Sequence, residues 1–374
     1  MLSRISGVTK NYDWGSKELV PNFFGLEKPS KPIAEIWFGT HPLGESDIIG
    51  ESKSLSESLG KKLSFLVKIL SAERALSIQV HPNAQQAKDG FHFEQAQGIA
   101  LEDPKRNYKD SSHKPEALIA LTPFEALCGF RPKEDLIQVF STFGKSEPEF
   151  ESLAKSLSQG TSLEEVFQTL IANTELAKRF TKSVDSSQSD SVAKKARELV
   201  ERLLTQFPED TGALVALMLN EVSLGPGEAI YLPAGNIHAY LSGLGLEVMA
   251  SSDNVLRSGL TSKHIDVAEV IKLADFSELA EPKVRPRKLA EGLIEYPVDC
   301  SEFRVYRAEV SGKNLLADLD LPASAMVVCT AGEVAVSTSL EEREVLAKSE
   351  VVFASAAKKL SLSGSGTAFV ILGD

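Results

Sequence analysis

The chain has 374 residues, 43% of them hydrophobic and 25% charged, with a formal net charge of −12. That length suits two or three domains with sizeable cores, and the acidic balance excludes a nucleic-acid binder, which needs basic patches to displace phosphate counterions. No apolar run approaches the roughly eighteen residues of a membrane span and the opening Met-Leu-Ser-Arg-Ile-Ser-Gly lacks a signal peptide's apolar core, so a cytoplasmic location is expected. The cysteines, Cys128, Cys300 and Cys329, form no C-x-x-C pair, which leaves any metal to His, carboxylate and amide ligands.

Residues 1–132 read as β-rich. Short apolar runs at Ile33–Phe38, Phe65–Leu70, Leu76–Val80, Ala117–Leu121 and Phe124–Phe130 alternate with Pro, Gly, Asn and Ser clusters. The polar, Gln-rich stretch from Asn83 to Asp110 predicts a helix and loop across them. From Pro132 the period changes: Asp135–Phe140, Glu164–Ile171 and Ala196–Leu204 carry apolar residues at three- and four-residue spacings. A helical domain is expected over 133–208, broken by a flexible Ser-rich loop at Ser183–Ser191. Leu214, Ala216, Met218, Asn220 and Val222 alternate, predicting a strand over Ala213–Val222, so that 209–284 completes the β domain begun by 1–132. Ile265–Leu273 reads as a helix with Asp266 near its start, and Glu281–Lys288 as a Pro- and charge-rich connection. The remainder, 285–374, has strands at Phe303–Val310, Ala325–Cys329, Glu333–Val336, Val351–Ala354 and Ala368–Leu372 and no histidine, which predicts a second β domain with a structural role.

The run Gly227-Glu-Ala-Ile-Tyr-Leu-Pro-Ala-Gly-Asn-Ile-His238 reads as a strand, a Pro/Gly turn and a strand opening on histidine. Its spacing, G-x5-P-x-G-x2-H, resembles the second motif of the cupin superfamily, small double-sheet barrels that commonly hold one metal. Ser242 stands where that motif has Asn. Alternation along Leu76–Pro82 puts Gln79 and His81 on one strand face. His113, Lys114 and Glu116 precede an apolar strand, where a lysine and a carboxylate are costly to bury unless paired, coordinated or functional. Glu247 lies in a strand pattern, and the turn at Asp253-Asn254 presents Arg257, a side chain suited to an anion. Taken singly, each has a plainer reading: a histidine satisfied in a core, or a charge solvated at the surface. His41, His92 and His264 read as turn, packing or surface residues, and Trp14 and Trp37 as barrel packing.

Together the stretches resemble one family, the type I mannose-6-phosphate isomerases. Tyr108, Asp110, Ser112, His113, Lys114, Pro115 and Glu116 match its Y-x-D-x-N-H-K-P-E with Ser for Asn. His238-Ala-Tyr240, Gly243, Glu247, Met249-Ala250, Ser252-Asp-Asn254, Leu256-Arg257-Ser258-Gly259 and Thr261-Ser262-Lys263 match a second block, with Ser258 and Ser262 replacing Ala and Pro. Tyr12–Ser16, Ala34–Trp37, Gly39–Pro42 and Ser77–Pro82 extend the likeness over nearly the whole chain.

The resemblance implies a mainly β fold with an α insertion: a cupin (jelly-roll) catalytic barrel, a helical domain and a ligand-free cupin-like domain. It implies one zinc ion held by Gln79, His81, Glu116 and His238. It implies a small sugar phosphate as partner, met by Ser77, Lys114, Arg257 and Trp14, with no nucleic acid or membrane and a monomer as the acting unit. The activity implied is interconversion of mannose 6-phosphate and fructose 6-phosphate through an enediol, with Arg257, Lys114, His113, Glu247 and Asp253 as catalytic candidates. Of the possible bases, His113 is placed slightly ahead because histidine titrates near neutrality; a hydride shift is the competing route. A non-catalytic sugar-phosphate-binding cupin is the alternative, and it would be expected to lose Lys114, Arg257 or a ligand. An iron oxygenase would show His-x-His where Gln79-Val80-His81 stands.

Overall fold

The computed structural model describes residues 1–183, 191–312, 317–321 and 323–373. The expected Ser-rich loop falls on 184–190, outside the described residues. Each strand predicted in 1–132 forms, as Glu35–Phe38, Phe65–Ala72, Ile78–Val80, Glu116–Ala120 and Phe124–Phe130. They join a ten-stranded antiparallel sheet around the thirteen-residue strand His238–Ala250, which pairs with Phe65–Ala72 and Glu116–Ala120 along its second half and with Phe124–Phe130 along its first. The register shifts between Tyr240 and Ser242. There Gly243 takes φ +122°, and a Cβ would sit 2.6 Å from the Pro123 carbonyl oxygen, so this corner of the barrel needs glycine.

The strand Phe65–Ala72 is buried at all eight residues, which means both of its faces are covered. Phe65, Val67 and Ile69 share a core with Ala117, Ile119, Leu246 and Val248, and with Phe303, Val305, Met326, Val328, Phe353, Phe369 and Ile371 of the C-terminal sheet. The two sheets therefore pack face to face, and each Val, Ile, Leu, Met or Phe side chain fully removed from water contributes about 1.5–3 kcal/mol. The intervening positions Lys68, Leu70, Glu116, Leu118 and Glu247 project to the opposite side, into the barrel. On the barrel's other flank Ile78, Val80, Leu127, Phe130, Ala239 and Leu241 pack against Leu136, Phe140, Phe167 and Leu203 of the helices.

The helices run Lys133–Phe143, Pro148–Ser158, Leu163–Ile171, Thr174–Ser183 and Ser191–Gln206. Ser162 and Glu165 form a capping box at the start of the third, and Pro148 begins the second, where its missing N–H costs nothing. The expected strand over Ala213–Val222 is a correction: Gly212–Ala216 is a helical turn and the strand runs Leu219–Leu224. Residues 213–219 are all buried, and an unbroken apolar run carries neither period.

In the C-terminal sheet the runs at Ala325–Cys329 and Glu333–Val336 are one strand, Ser324–Thr338, with a register shift between Cys329 and Ala331. The interior of this sheet is apolar, with Leu293, Tyr306, Val327, Val334, Leu360 and Val370 in one cluster. Its edge is completed by Leu2–Arg4 from the other end of the chain, paired with Val352–Ala354. Among the described residues no helix is long and apolar enough to cross a membrane.

Candidate metal centre

Register builds the site. His238 lies opposite Gln79, and Gln79 opposite Arg257, so the three stand in one row across neighbouring strands, on one face. His81 and Ser77, two residues to either side of Gln79, share that face. Glu116 opens its strand opposite Met249, two pairs along from Leu118 and Glu247 and so on the same face.

His81 Nε2 is 3.5 Å from Glu116 Oε1, and His238 Nε2 is 3.5 Å from Glu116 Oε2. The three ligand atoms lie within 4.8 Å of one another, with both histidines 0% exposed and Glu116 2%. His81 Nδ1 is 2.7 Å from the Asn254 carbonyl, and His238 Nδ1 is 3.0 Å from that of Asn236. Carbonyl oxygens only accept, so each Nδ1 carries the proton and each Nε2 turns a lone pair toward Glu116. Both Nε2 atoms and Glu116 Oε2 are buried without a hydrogen-bond partner. Three converging acceptors with no donor between them are unfavourable unless a cation joins them, and two neutral imidazoles with one carboxylate suit zinc. Gln79 adds an amide to the same row, part-exposed.

Electrostatics agree with that donor set. Burial lowers His81 to about 4, against the pull of the Glu116 carboxylate, so the ring stays neutral. Burial alone would raise Glu116, but Lys114 and His81 outweigh it and hold the carboxyl well below its usual range. Lys114 Nζ lies 3.1 Å from Glu116 Oε1.

Behind this group, Lys68 lies inside the barrel, its Nζ 2.9 Å from Glu247 Oε2 and 3.5 Å from Glu35 Oε1. Trp37 Nε1 donates to Glu35 Oε2 at 2.8 Å. Burial and the Glu116 and Glu35 charges raise the Glu247 carboxyl despite Lys68. In the sequence Lys68 is hidden within the apolar run Phe65–Leu70. Its signal was a lysine in Phe-Leu-Val-Lys-Ile-Leu, where a solvated charge has no place.

The mouth is organised by Asp110 and Asn254. Asp110 accepts from Ser252 Oγ at 2.9 Å and from the Asp253 amide at 2.8 Å. Asn254, fully buried, takes the Lys109 amide and donates to the Ser112 carbonyl while its own carbonyl holds His81. Asp253 lies 3.3 Å from His41 Nε2, and its carboxyl is depressed by His41, Lys114 and Lys68 against the effect of burial. Burial lowers Arg257, and burial together with the Arg257 charge lowers Lys263, so the two cations are within electrostatic reach of one another. Trp14 is part-buried against the barrel core beside Tyr12, at 5.7 Å between ring centres.

His113 is not brought to the group. Lys114 and Glu116 share one face of the extended segment, so His113 faces the other way, and its Nε2 lies 2.6 Å from Glu302 Oε1 of the C-terminal sheet region. His92 and His264 are exposed. His41 is only 4% exposed and faces Asp253, so the turn residue expected from the sequence is a buried part of the site.

A ten-stranded β-barrel with two histidines and a glutamate converging inside it, ringed by lysines, an arginine and carboxylates, defines a metal-dependent cupin. Residues 2–133 match the family described as phosphomannose isomerase type I, catalytic domain. The mannose-6-phosphate isomerase of Escherichia coli is 35% identical over 355 residues, covering 89% of each chain, and the human one 33% identical over 414 residues, covering 96% of this chain and 94% of that one. A crystal structure of mannose 6-phosphate isomerase bound with zinc and yttrium superposes with a TM-score of 0.88 at 31% identity, over 100% of this chain and 99% of that one. A variant of the Salmonella typhimurium enzyme gives a TM-score of 0.90 with the same coverage. The chain belongs to the mannose-6-phosphate isomerase family.

Proposed function

We propose that this chain is a zinc-dependent aldose-ketose isomerase interconverting mannose 6-phosphate and fructose 6-phosphate, as its relatives are named for doing. The observation that carries the reading is the trio of buried acceptor atoms on His81, Glu116 and His238, set beneath Lys114 and beside Arg257. Gln79, His81, Glu116 and His238 would hold the zinc, which when bound supplies a Lewis acid for a sugar oxygen.

Arg257, with Lys263 beside it, binds the phosphate, the fork of the guanidinium matching its oxygens. Ser77 and Trp14 line the sugar. A carboxylate removes the C2 proton of the open-chain aldose and returns it to C1, while Lys114 passes a proton between O2 and O1. With His113 turned toward Glu302, two candidate carboxylates remain. Glu247 is 3% exposed and engaged by Lys68, whereas the Asp253 side chain is 38% exposed at the mouth, so Asp253 is assigned as the proton carrier.

The domain division that goes with this reading is a catalytic barrel from 1–132 and 209–284, a helical domain over 133–208 and a C-terminal domain over 285–374, acting as a cytoplasmic monomer. The test is a coupled isomerase assay on mannose 6-phosphate with protein stripped by chelator and reloaded with zinc. Activity that vanishes and returns supports the reading; stoichiometric zinc binding with no turnover leaves only a sugar-phosphate-binding barrel. Solvent deuterium appearing at C1 or C2 of the sugar supports the enediol route over a hydride shift.

A further inference from the structure

His41 sits at the end of the two-residue strand Thr40–His41, edge-on to the Trp37 ring at 5.1 Å between centres, and is 4% exposed. The Leu43 amide donates to His41 Nδ1 at 3.3 Å. That contact makes Nδ1 an acceptor, so the neutral ring carries its proton on Nε2, the nitrogen 3.3 Å from Asp253 Oδ2. The backbone of Asp253 is fixed separately, by its amide donating to Asp110 Oδ2 at 2.8 Å. The groups facing Asp253 from the packed elements are His41, Lys68 and Lys114, with the Tyr12 hydroxyl near. Of these, only His41 is held in one tautomer by the backbone of its own turn.

We propose that His41 is a positioning residue for the isomerisation: its Nε2–H anchors Asp253 Oδ2, so that Oδ1 faces the C2 and C1 protons of the bound sugar. The proposal rests on the assignment of Asp253 as proton carrier. A carboxylate with more than a third of its side chain in solvent rotates freely, and a carrier serving two adjacent carbons must keep one oxygen within reach of both. Fixing the other oxygen from a buried ring does this. Arrangement by a third group is the logic by which a base is oriented wherever its own backbone leaves it free.

The test compares His41→Leu, His41→Gln and Asp253→Asn, each loaded with zinc to measured stoichiometry, by kcat, KM and the pH profile of kcat/KM on mannose 6-phosphate. His41→Leu should lower kcat about 30-fold with KM within about threefold, and should move the acid limb up by about one pH unit, because the carboxylate loses the donor that favours its charged form. His41→Gln keeps an N–H near the same place and should recover to within about fivefold of wild type. Asp253→Asn should lose at least about a thousandfold. A His41→Leu enzyme with kcat within twofold of wild type and an unmoved acid limb overturns the proposal while leaving the Asp253 assignment standing. A near-wild-type Asp253→Asn enzyme overturns that assignment instead, and the His41 proposal with it. Should His41→Leu fail to fold, nitrogen-15 NMR of the wild-type imidazoles decides: an Nε2–H tautomer at His41 supports the proposal, and an Nδ1–H tautomer overturns it.

Discussion

His113 and Glu116 are three residues apart on one extended segment and face opposite ways. Glu116 meets His81 and His238 inside the barrel, while His113 Nε2 lies 2.6 Å from Glu302 Oε1, outside it. Odd spacing along a strand puts two side chains on opposite faces, so a histidine beside the metal group in sequence serves the contact between sheets in space.

His113→Ala should therefore leave kcat within about threefold of wild type, where loss of a general base costs about a hundredfold or more. Its cost falls on stability, about 1 kcal/mol or less because the pair is partly solvated, read as a shift in urea midpoint. The Glu302 carboxyl is held below its usual range by His113, against burial. The contact therefore stabilises at neutral pH and is lost as pH falls through that lowered value.

His238→Ala and His81→Ala should each abolish zinc uptake and turnover together, checked by metal analysis beside the coupled assay; full activity in either would remove it from the ligand set. In metal-free protein the folded-state value of His81, about 4, lies below the ordinary 6.5. The unfolded chain takes up a proton there before the folded one does. This share of stability is complete above 6.5 and disappears as pH falls toward 4, amounting to ~3 kcal/mol. His81→Ala stripped of metal should show a flatter stability profile across that window.

Lys68→Met removes the cation between two buried carboxylates. Breaking a buried pair by deleting one partner costs about 3–5 kcal/mol. Adding Glu247→Gln should return part of that loss, and a double-mutant cycle in denaturant measures how much. A Lys68→Met protein as stable as wild type would show that the carboxylates are neutral without it.

Arg257→Ala should raise KM for mannose 6-phosphate by about ten- to a hundredfold, the worth of a charge-assisted pair. Inhibition by inorganic phosphate should weaken in parallel. A rise in KM without weaker phosphate inhibition would move the anion contact elsewhere, with Lys263 the next to test.

Much of the site was legible because period two is a local rule: Gln79 with His81, and Glu116 on an apolar strand, need only their own segments to be read. The facing of His113 was available from the same rule, since it is odd where Lys114 and Glu116 are even, yet neutral titration favoured it as a base. What local reading cannot supply is a pairing between distant segments, such as His41 with Asp253 or Lys68 with Glu35 and Glu247. Strands covered on both faces hide their parity as well. Phe65–Ala72 is apolar except at Lys68 and Ser71, and Ala213–Val222 reads as one strand where Gly212–Ala216 is a helical turn.

The pairing of Leu2–Arg4 with Val352–Ala354 has a mechanical side. Leu2 lies against Ala354, Ala354 against Ala325, and Ala325 against Leu372, so residues from both ends of the described chain sit in one row of one sheet. A pull applied across Leu2 and Gly373 would be carried by the hydrogen bonds of that row, and the barrel with the metal group lies outside the load path. The first rupture in an optical trap would open the C-terminal sheet, with the catalytic ligands still assembled.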